Sequence, residues 1–212
     1  MGRRGRIALK VGVWVVCLAP LAMLAVRAWQ GDLTANPISF ITNTLGDWTF
    51  RFLLASLALT PLRIVTGMAW QMSLRRVLGL FAFFYAALHF STWIFLDHFF
   101  NWGQMAADIV KRPYITVGML ALTGLIPLAA TSTTGMIRRL GPKHWKRLHR
   151  LVYLVAVCAA LHFLWLAKVG RRDQYVYAAL VALLLGVRLW DAVRRALQRR
   201  RAGALRPASI LP

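Results

Sequence analysis

Five histidines, at positions 89, 98, 144, 149 and 162, are the side chains of this sequence best suited to binding a metal or moving a proton. His89 and His162 lie within long apolar stretches, where an ionisable side chain is costly and usually has a function. Because imidazole nitrogen is the commonest metal ligand among side chains, these two are the first candidates for a metal site. His98 and His144 fall between apolar stretches, and we expect both to be solvated.

The two cysteines, Cys17 and Cys158, also fall in apolar stretches, and neither belongs to a CxxC or CxxCH motif. This pattern argues against covalently attached c-type haem and against the usual cysteine sites for zinc or iron–sulfur clusters. We expect both thiols to be small apolar core residues.

The elements that carry the histidines are apolar stretches of roughly 20 residues, the length that crosses about 30 Å of hydrocarbon. Of the 212 residues, 59% are apolar and only six are acidic, so the chain is far more hydrophobic than a soluble domain. One transmembrane domain at 11–192 follows a basic leader at 1–10 and precedes a basic tail at 193–212. The six predicted spans are 11–28, 48–65, 77–96, 114–130, 151–167 and 175–190.

The basic residues predict the orientation, because Lys and Arg near helix ends stay on the cytoplasmic side of a membrane. With the N-terminus inside, most of the 27 basic residues are cytoplasmic and all but one of the six acidic residues lie outside. The predicted fold is therefore an all-α, six-helix polytopic membrane bundle with both termini in the cytoplasm. The net charge is +21, but the Lys and Arg residues lie between the apolar runs and do not form one patch on a water-soluble surface. This distribution argues against nucleic acid as a partner and favours anionic membrane lipid, above all for the tail.

His89 and His162 are predicted at similar depth in the bilayer. His89 follows Arg76 by 13 residues, His162 follows Arg150 by 12, and both spans run outward from the cytoplasmic side. At 1.5 Å per residue, each lies roughly 20 Å from that side, in the outer half. Two neutral imidazoles facing each other across a bundle suit axial ligation of a b-type haem, which needs no covalent attachment. Small neighbours that leave room for a flat macrocycle are Ala82, Ala86, Cys158 and Ala159.

His149 opens the fifth span, 13 residues before His162 and about 140° from it around an ideal helix. The two histidines therefore do not share one face, and a second haem would need another ligand, where the third span offers Arg75 or Arg76. Three roles stay open for His149: haem ligand, contact to a haem propionate, and cap of the basic loop.

Two other classes of protein fit the same pattern. A small transporter or assembly factor without a cofactor would use the histidines for interhelical hydrogen bonds, and Pro20, Pro61 and Pro127 interrupt spans as in broken transporter helices. A quinol-linked cytochrome b serving some other reductase would use the same two ligands.

Three long segments resemble the MsrQ (YedZ) family of bacterial inner-membrane haem proteins. They are RRVLGLFAFFYAALHFSTWIFLD at 75–97, KRPYITVGMLALTGLIPLAATST at 111–133 and WKRLHRLVYLVAVCAALHFLW at 145–165. The likeness also covers FLLASLALTPLR at 52–63, so it spans four of the six predicted helices. The resemblance implies the ferric-reductase-like bundle with b-type haem, and the family's histidines fall on His89, His149 and His162.

The resemblance also implies an electron-transfer subunit and not the catalytic enzyme. Electrons would pass from quinol, or from a cytosolic flavin reductase, to MsrP, a periplasmic molybdopterin enzyme that reduces methionine sulfoxide in oxidised proteins. FMN is a further cofactor that the resemblance implies, and a bacterial inner membrane is the implied location.

The sequence departs from the wider ferric reductase group, which typically has two histidines on each of two helices. The third span here carries one histidine, with arginine near the position of the second. The resemblance therefore does not extend to a conventional second bis-histidine haem. No GxGxxG motif or nucleotide-binding domain follows the sixth span, so we expect an external electron donor.

Overall fold

The computed structural model describes residues 3–166 and 173–204, and every regular element in these ranges is a helix. In chain order these are α1 (Arg3–Trp29), α2 (Pro37–Thr66), a 3-10 helix (Trp70–Leu74), α3 (Arg75–Thr92), a π-helix (Trp93–Asp97), α4 (Trp102–Lys111), α5 (Pro113–Ala130), α6 (Thr134–Leu148), α7 (Leu151–Trp165) and α8 (Asp173–Ala204). The predicted all-α class is confirmed for these residues.

Five helical segments of the described ranges are long and apolar enough to cross a membrane: α1, α2, the segment Trp70–Asp97, α5 and α8. A sixth span is gained if α6 and α7, which meet at 46°, form one broken span. This is the pattern of a multi-pass membrane protein. The predicted fifth span ends at Ala167, which lies outside the described residues.

Helix α2 begins at Pro37, well before the predicted start at 48. Asn36 caps it by accepting a hydrogen bond from the Ser39 amide at 3.0 Å, and Pro37 has the fixed φ that suits a first helical position. The first three turns escaped prediction because they carry polar residues such as Thr42 and Asn43, which line an internal cavity.

Two helices lie where loops were predicted, and α8 is longer than its predicted span. Helix α4 occupies the predicted outer loop and buries Met105, while α6 occupies the basic loop and has a kink at Gly141, whose φ is 73°. Helix α8 continues beyond 190 to Ala204, into the predicted tail, because its Ala, Leu and Arg residues all favour helix.

The centre of the bundle consists of two closely packed pairs, α2 with α3 and α5 with α7, while α1 and α8 lie against them. Small residues permit the close approach within each pair. A Cβ atom at Gly124 of α5 would lie only 2.6 Å from Val155 of α7, so a larger residue there would force a shift. One at Gly79 of α3 would make an ordinary contact, 3.5 Å from the Ser56 hydroxyl of α2. Gly124 therefore limits the spacing of α5 and α7 on one side of the cavity described below.

Tyr85 of α3 joins the central pairs to α1. Its side chain is completely buried, and its hydroxyl donates to the Cys17 carbonyl at 2.8 Å and accepts from the Leu21 amide at 3.2 Å. Cys17 and Leu21 are four residues apart, so the hydroxyl lies within the backbone ladder of α1, next to Pro20. A side chain inserted in this way satisfies backbone groups at a point where a proline already disrupts the helix.

We expect Tyr85→Phe to lower the apparent melting temperature in detergent by several degrees. The change leaves two buried backbone groups without the hydroxyl, at a cost of about 1–3 kcal/mol, and each kcal/mol corresponds to about 2–4 °C in a chain of this size. Tyr175→Phe, at an exposed site of α8, is the matched control and should not change the melting temperature. Equal melting temperatures for both variants would mean that α1 closes its own ladder and that the hydroxyl adds nothing.

Candidate functional site

His89 of α3 and His162 of α7 meet across one internal cavity. Their ring centres are 6.3 Å apart and the ring planes are nearly perpendicular, at 77°. Both rings line a cavity of about 550 Å³, within the usual range for a ligand pocket. The structure therefore brings these two predicted site residues together, and their role as ligands stays a prediction.

Both rings are held by backbone carbonyls of neighbouring helices. His89 Nδ1 lies 2.9 Å from the carbonyl oxygen of Thr42, and His162 Nδ1 lies 2.7 Å from that of Tyr114. A carbonyl oxygen can only accept, so each Nδ1 carries the proton and donates it. Each Nε2 then keeps its lone pair, which is the arrangement that metal-binding histidines adopt.

A glycine lies against each ring, four residues after the carbonyl that holds it. A Cβ atom at Gly46 would approach His89 Cε1 to 3.1 Å, and one at Gly118 would approach His162 Nδ1 to 2.8 Å. Any larger residue would therefore displace the ring or the helix. The same device, a carbonyl and a glycine one helical turn apart, thus occurs in both halves of the bundle.

The histidine pair alone cannot complete a metal site. Among the described residues no group of three or more His, Cys, Asp or Glu side chains could hold a metal ion. Metal ions in proteins commonly take four or more ligands, so a metal between His89 and His162 would need further donors, which a bound group can supply. A porphyrin supplies four nitrogens in a plane and leaves two axial positions for imidazoles. If one metal ion bound both imidazoles, the distance between the ring centres would be two metal–nitrogen bonds of about 2 Å plus the distance from nitrogen to ring centre on each side. That sum agrees with the 6.3 Å between the ring centres of His89 and His162.

The walls of the cavity also suit a flat apolar group. Ala86 and Ala159, predicted to leave room beside the histidines, both line it. Ala82 and Cys158, predicted to do the same, are not among its lining residues. The remaining apolar wall consists of Phe50, Leu53, Ala121, Leu122, Leu125 and Val155.

His149 lies apart from this cavity, between α6 and α7. Its ring stacks on Trp145 at 3.9 Å, and its Nε2 lies 3.0 Å from the Thr131 hydroxyl. Because the Thr131 hydroxyl donates its proton to the carbonyl of Pro127 at 2.6 Å, it can only accept from His149. His149 Nε2 is therefore the donor in the 3.0 Å hydrogen bond to Thr131. The structure thus brings together two of the three predicted site histidines and engages the third elsewhere.

The prediction that His98 is solvated was wrong. Its side chain is only 9% exposed, and its Nε2 lies 3.3 Å from an Asp108 oxygen and 3.9 Å from one of Asp97. Asp108 of α4 also pairs with Arg112 at 3.3 Å, so one carboxylate lies between the residue that follows the π-helix and the residue that precedes α5. The adjacent Asp97 was the one feature of the sequence that could have indicated a partner for His98. Asp108 comes close to His98 only in the folded protein. His144 is exposed as predicted, on α6.

Comparison with known proteins agrees with this geometry. A family model described as "Ferric reductase like transmembrane component" matches residues 45–160. The protein-methionine-sulfoxide reductase heme-binding subunit MsrQ of Rhodospirillum rubrum is 53% identical over 193 residues, covering 91% of each chain. The protein of the same name from Ralstonia nicotianae is 45% identical, covering 94% of this chain and 93% of the relative. The chain belongs to the MsrQ family.

The MsrQ likeness extends well beyond the four helices from which it was predicted. A third MsrQ relative, from Herminiimonas arsenicoxydans, is 49% identical over 87% of this chain and 85% of its own length. The ferric-reductase match contains Gly46, His89 and Gly118, whereas His162 lies two residues beyond its end. The MsrQ matches cover more of the chain than the ferric-reductase match does.

We expect Asp108→Asn to speed hydrogen exchange of the α4 amides at 102–111, because it removes the charge that holds both His98 and Arg112. Asp32→Asn is the matched control at the same end of the bundle, since the Arg27–Asp32 pair is exposed and contributes little. Exchange measured by mass spectrometry should change in the first variant and not in the second. Unchanged exchange in both would show that apolar packing alone holds α4.

Proposed function

We propose that this chain is the haem-binding, electron-transferring membrane subunit of a methionine sulfoxide reductase system, and that a partner protein carries out the catalytic reduction. The observation that carries the proposal is the pair His89 and His162, whose unprotonated Nε2 atoms belong to rings lining one cavity. The MsrQ relatives, named as heme-binding subunits of such reductases, support the same function.

His89 and His162 would be the two axial ligands of a b-type haem. When bound, haem supplies reversible one-electron chemistry at its iron. The chain contributes the position of the ligands and their electron-donating strength, because the carbonyls of Thr42 and Tyr114 bind the Nδ1 protons and raise the basicity of the rings. The apolar wall around Leu53 and Val155 limits the access of water to the iron.

We further propose six spans at 11–192 with a cytoplasmic leader at 1–10 and a tail at 193–212, in a bacterial inner membrane with both termini in the cytoplasm. The distribution of Lys and Arg supports this orientation. The end of the bundle that holds Asn36, Asp97 and Arg112 then faces the periplasm. His89 and His162 would lie nearer to that side, which shortens the electron transfer to a periplasmic acceptor.

The proposed acceptor is an MsrP-like periplasmic molybdopterin reductase, and the proposed donor is quinol or a cytosolic flavin reductase. On the opposite side of the bundle, α6 supports contact with an anionic partner because its basic side chains are exposed. These are Arg138, Arg139, Lys143, Lys146 and Arg147, with Arg150 just beyond. They also suit the phosphate of FMN, the second cofactor implied by the family resemblance.

The visible spectrum of the detergent-purified protein, oxidised and reduced, together with a haem count, tests the proposal. We expect a low-spin b-type spectrum that is lost in His89→Ala and in His162→Ala, while circular dichroism shows that both variants remain helical. A role of His149 as a haem ligand stays a prediction. His149→Ala should keep the spectrum of the His89–His162 site, and a lower haem count in this variant would assign His149 to a second haem.

A colourless wild-type protein from haem-replete cells would contradict the proposed function and favour the cofactor-free transporter. A wild-type spectrum that survives both His89→Ala and His162→Ala would show that haem is bound elsewhere. Both outcomes require only the purified protein and no partner.

The glycines beside the histidines give a graded test of ligand position. Gly118→Ala should raise the midpoint potential by about 20–60 mV, because a methyl group 2.8 Å from His162 Nδ1 displaces the ring from the Tyr114 carbonyl and weakens a bond worth about 0.5–1.5 kcal/mol. Gly46→Ala should have a smaller effect in the same direction, since its closest contact to His89 is 3.1 Å.

Gly186→Ala is the control for this series, because a methyl group there meets nothing within 4 Å. Potentials are measured by spectroelectrochemical titration, and the spin state of each variant is checked by electron paramagnetic resonance. The same potential in all three variants would mean that the carbonyl contacts do not control the ligands.

A further inference from the structure

The cavity between His89 and His162 has two chemically different ends. Its inner end, several turns into the helices, is apolar and is lined by Leu53, Ala86, Ala121, Leu125, Val155 and Ala159. Its mouth lies where α2 and α5 begin and the π-helix ends, and it is lined by Asn36, Ser39, Asn43, Asp97, Arg112 and Tyr114. An asymmetric cavity of this kind selects an amphiphilic ligand and binds it in one orientation.

Arg112 supplies the only lysine or arginine side chain among the residues that line the described cavity. One guanidinium nitrogen, Nη1, lies 3.3 Å from Asp108, and the side chain is 52% exposed. Of the five N–H donors, those not used by Asp108 and Tyr114 stay accessible. Hydrogen bonding with the Tyr114 side chain and the negative charge of Asp108 raise the pKa of Arg112, so the group stays cationic.

The α2 side of the mouth adds a neutral donor. The Asn43 amide donates to the Ser39 hydroxyl oxygen at 3.2 Å, so the Ser39 proton is available to a different acceptor. Asn36 uses its side-chain oxygen to cap α2, which leaves its amide NH2 group as a further neutral donor. Arg112 is therefore the one charged donor that lines the mouth, and Ser39 is a neutral donor on its α2 side.

Two carboxylates also reach the cavity and limit where an acidic group can bind. Asp97 lies 3.9 Å from His98, and Asp47 has an interaction partner of its own. Both would repel a second carboxylate that approached them. An acidic ligand group is thus excluded from the apolar end by desolvation. At the mouth, Arg112 is the one cation that lines the described cavity, and it can bind such a group only through the donors left open by Asp108 and Asp97, whose charges both act on it.

We propose that Arg112, with the Ser39 hydroxyl as a second donor, forms a carboxylate-binding subsite that holds the propionates of the haem at the mouth and so fixes its orientation. The inference rests on the proposed function, because a haem must bind between His89 and His162. The propionates are the charged groups of an otherwise apolar macrocycle, and a guanidinium is the side chain best matched to a carboxylate.

The test compares Arg112→Gln with the neighbouring control Lys111→Gln, whose site is exposed and does not line the cavity. Each purified holoprotein is mixed with excess apomyoglobin, and the rate of haem loss is followed in the visible spectrum. Arg112→Gln should lose haem about ten-fold faster than the wild type, as expected for one lost charge-assisted hydrogen bond. Lys111→Gln should match the wild type, and Arg112→Lys should recover most of the difference.

A second arm uses membranes from haem-deficient cells supplied with haem or with haem dimethyl ester, in which both propionates are neutral. With the ester, the wild type, Arg112→Gln and Lys111→Gln should lose the cofactor at equal rates. Resonance Raman spectra of the holoproteins as isolated give an independent reading. The propionate bending band should shift in Arg112→Gln and stay in place in Lys111→Gln.

Haem loss from Arg112→Gln at the wild-type rate with an unchanged propionate band would overturn the subsite. So would an equal acceleration with haem and with its ester, because that result would assign Arg112 a role in packing. A wild-type protein that binds no haem would instead overturn the proposed function, so the two failures are distinguishable.

Discussion

The hydrogen bond from each histidine Nδ1 to a backbone carbonyl is the interaction on which the functional geometry depends. It sets the tautomer, and it sets the direction of the ring without help from any side chain. A backbone acceptor can be reached only if the neighbouring helix comes very close, and Gly46 and Gly118 make that approach possible. Ligand position and helix packing are therefore one constraint, met once in each half of the bundle.

This constraint explains why the cavity forms between the helix pairs and not within them. Helices α2 and α3 are held at short distance by small residues, as are α5 and α7, so each pair behaves as a preformed wall with one histidine. The space between the walls stays open where Ala86 and Ala159 replace larger side chains. Its mouth is polar because the starts of α2 and α5 and the end of the π-helix meet there, and residues at helix ends are often polar.

The strongest interpretations from the sequence concerned residues whose surroundings are local. Two histidines at similar distances from basic helix ends predicted a pair at one depth, because depth in a membrane follows from residue count at 1.5 Å per residue. Hydropathy placed the start of α2 too late, because the polar residues Thr42 and Asn43 lower the hydropathy of its first turns. These two residues line the internal cavity. His98 was misjudged for a similar reason, because Asp108 approaches it from another helix.

The sequence by itself determined the membrane character, the helical class and the identity of the histidine pair, all of which depend on composition, charge and spacing along one chain. The tertiary structure alone decided which helices share a cavity, which carbonyl holds each ring, and where His149 and Arg112 lie. The histidine contacts join residues 18 to 48 positions apart, from His149–Thr131 to His162–Tyr114, and they depend on packing distances that no single segment contains. Local pattern specifies the parts, and side-chain volume at the helix contacts specifies their arrangement.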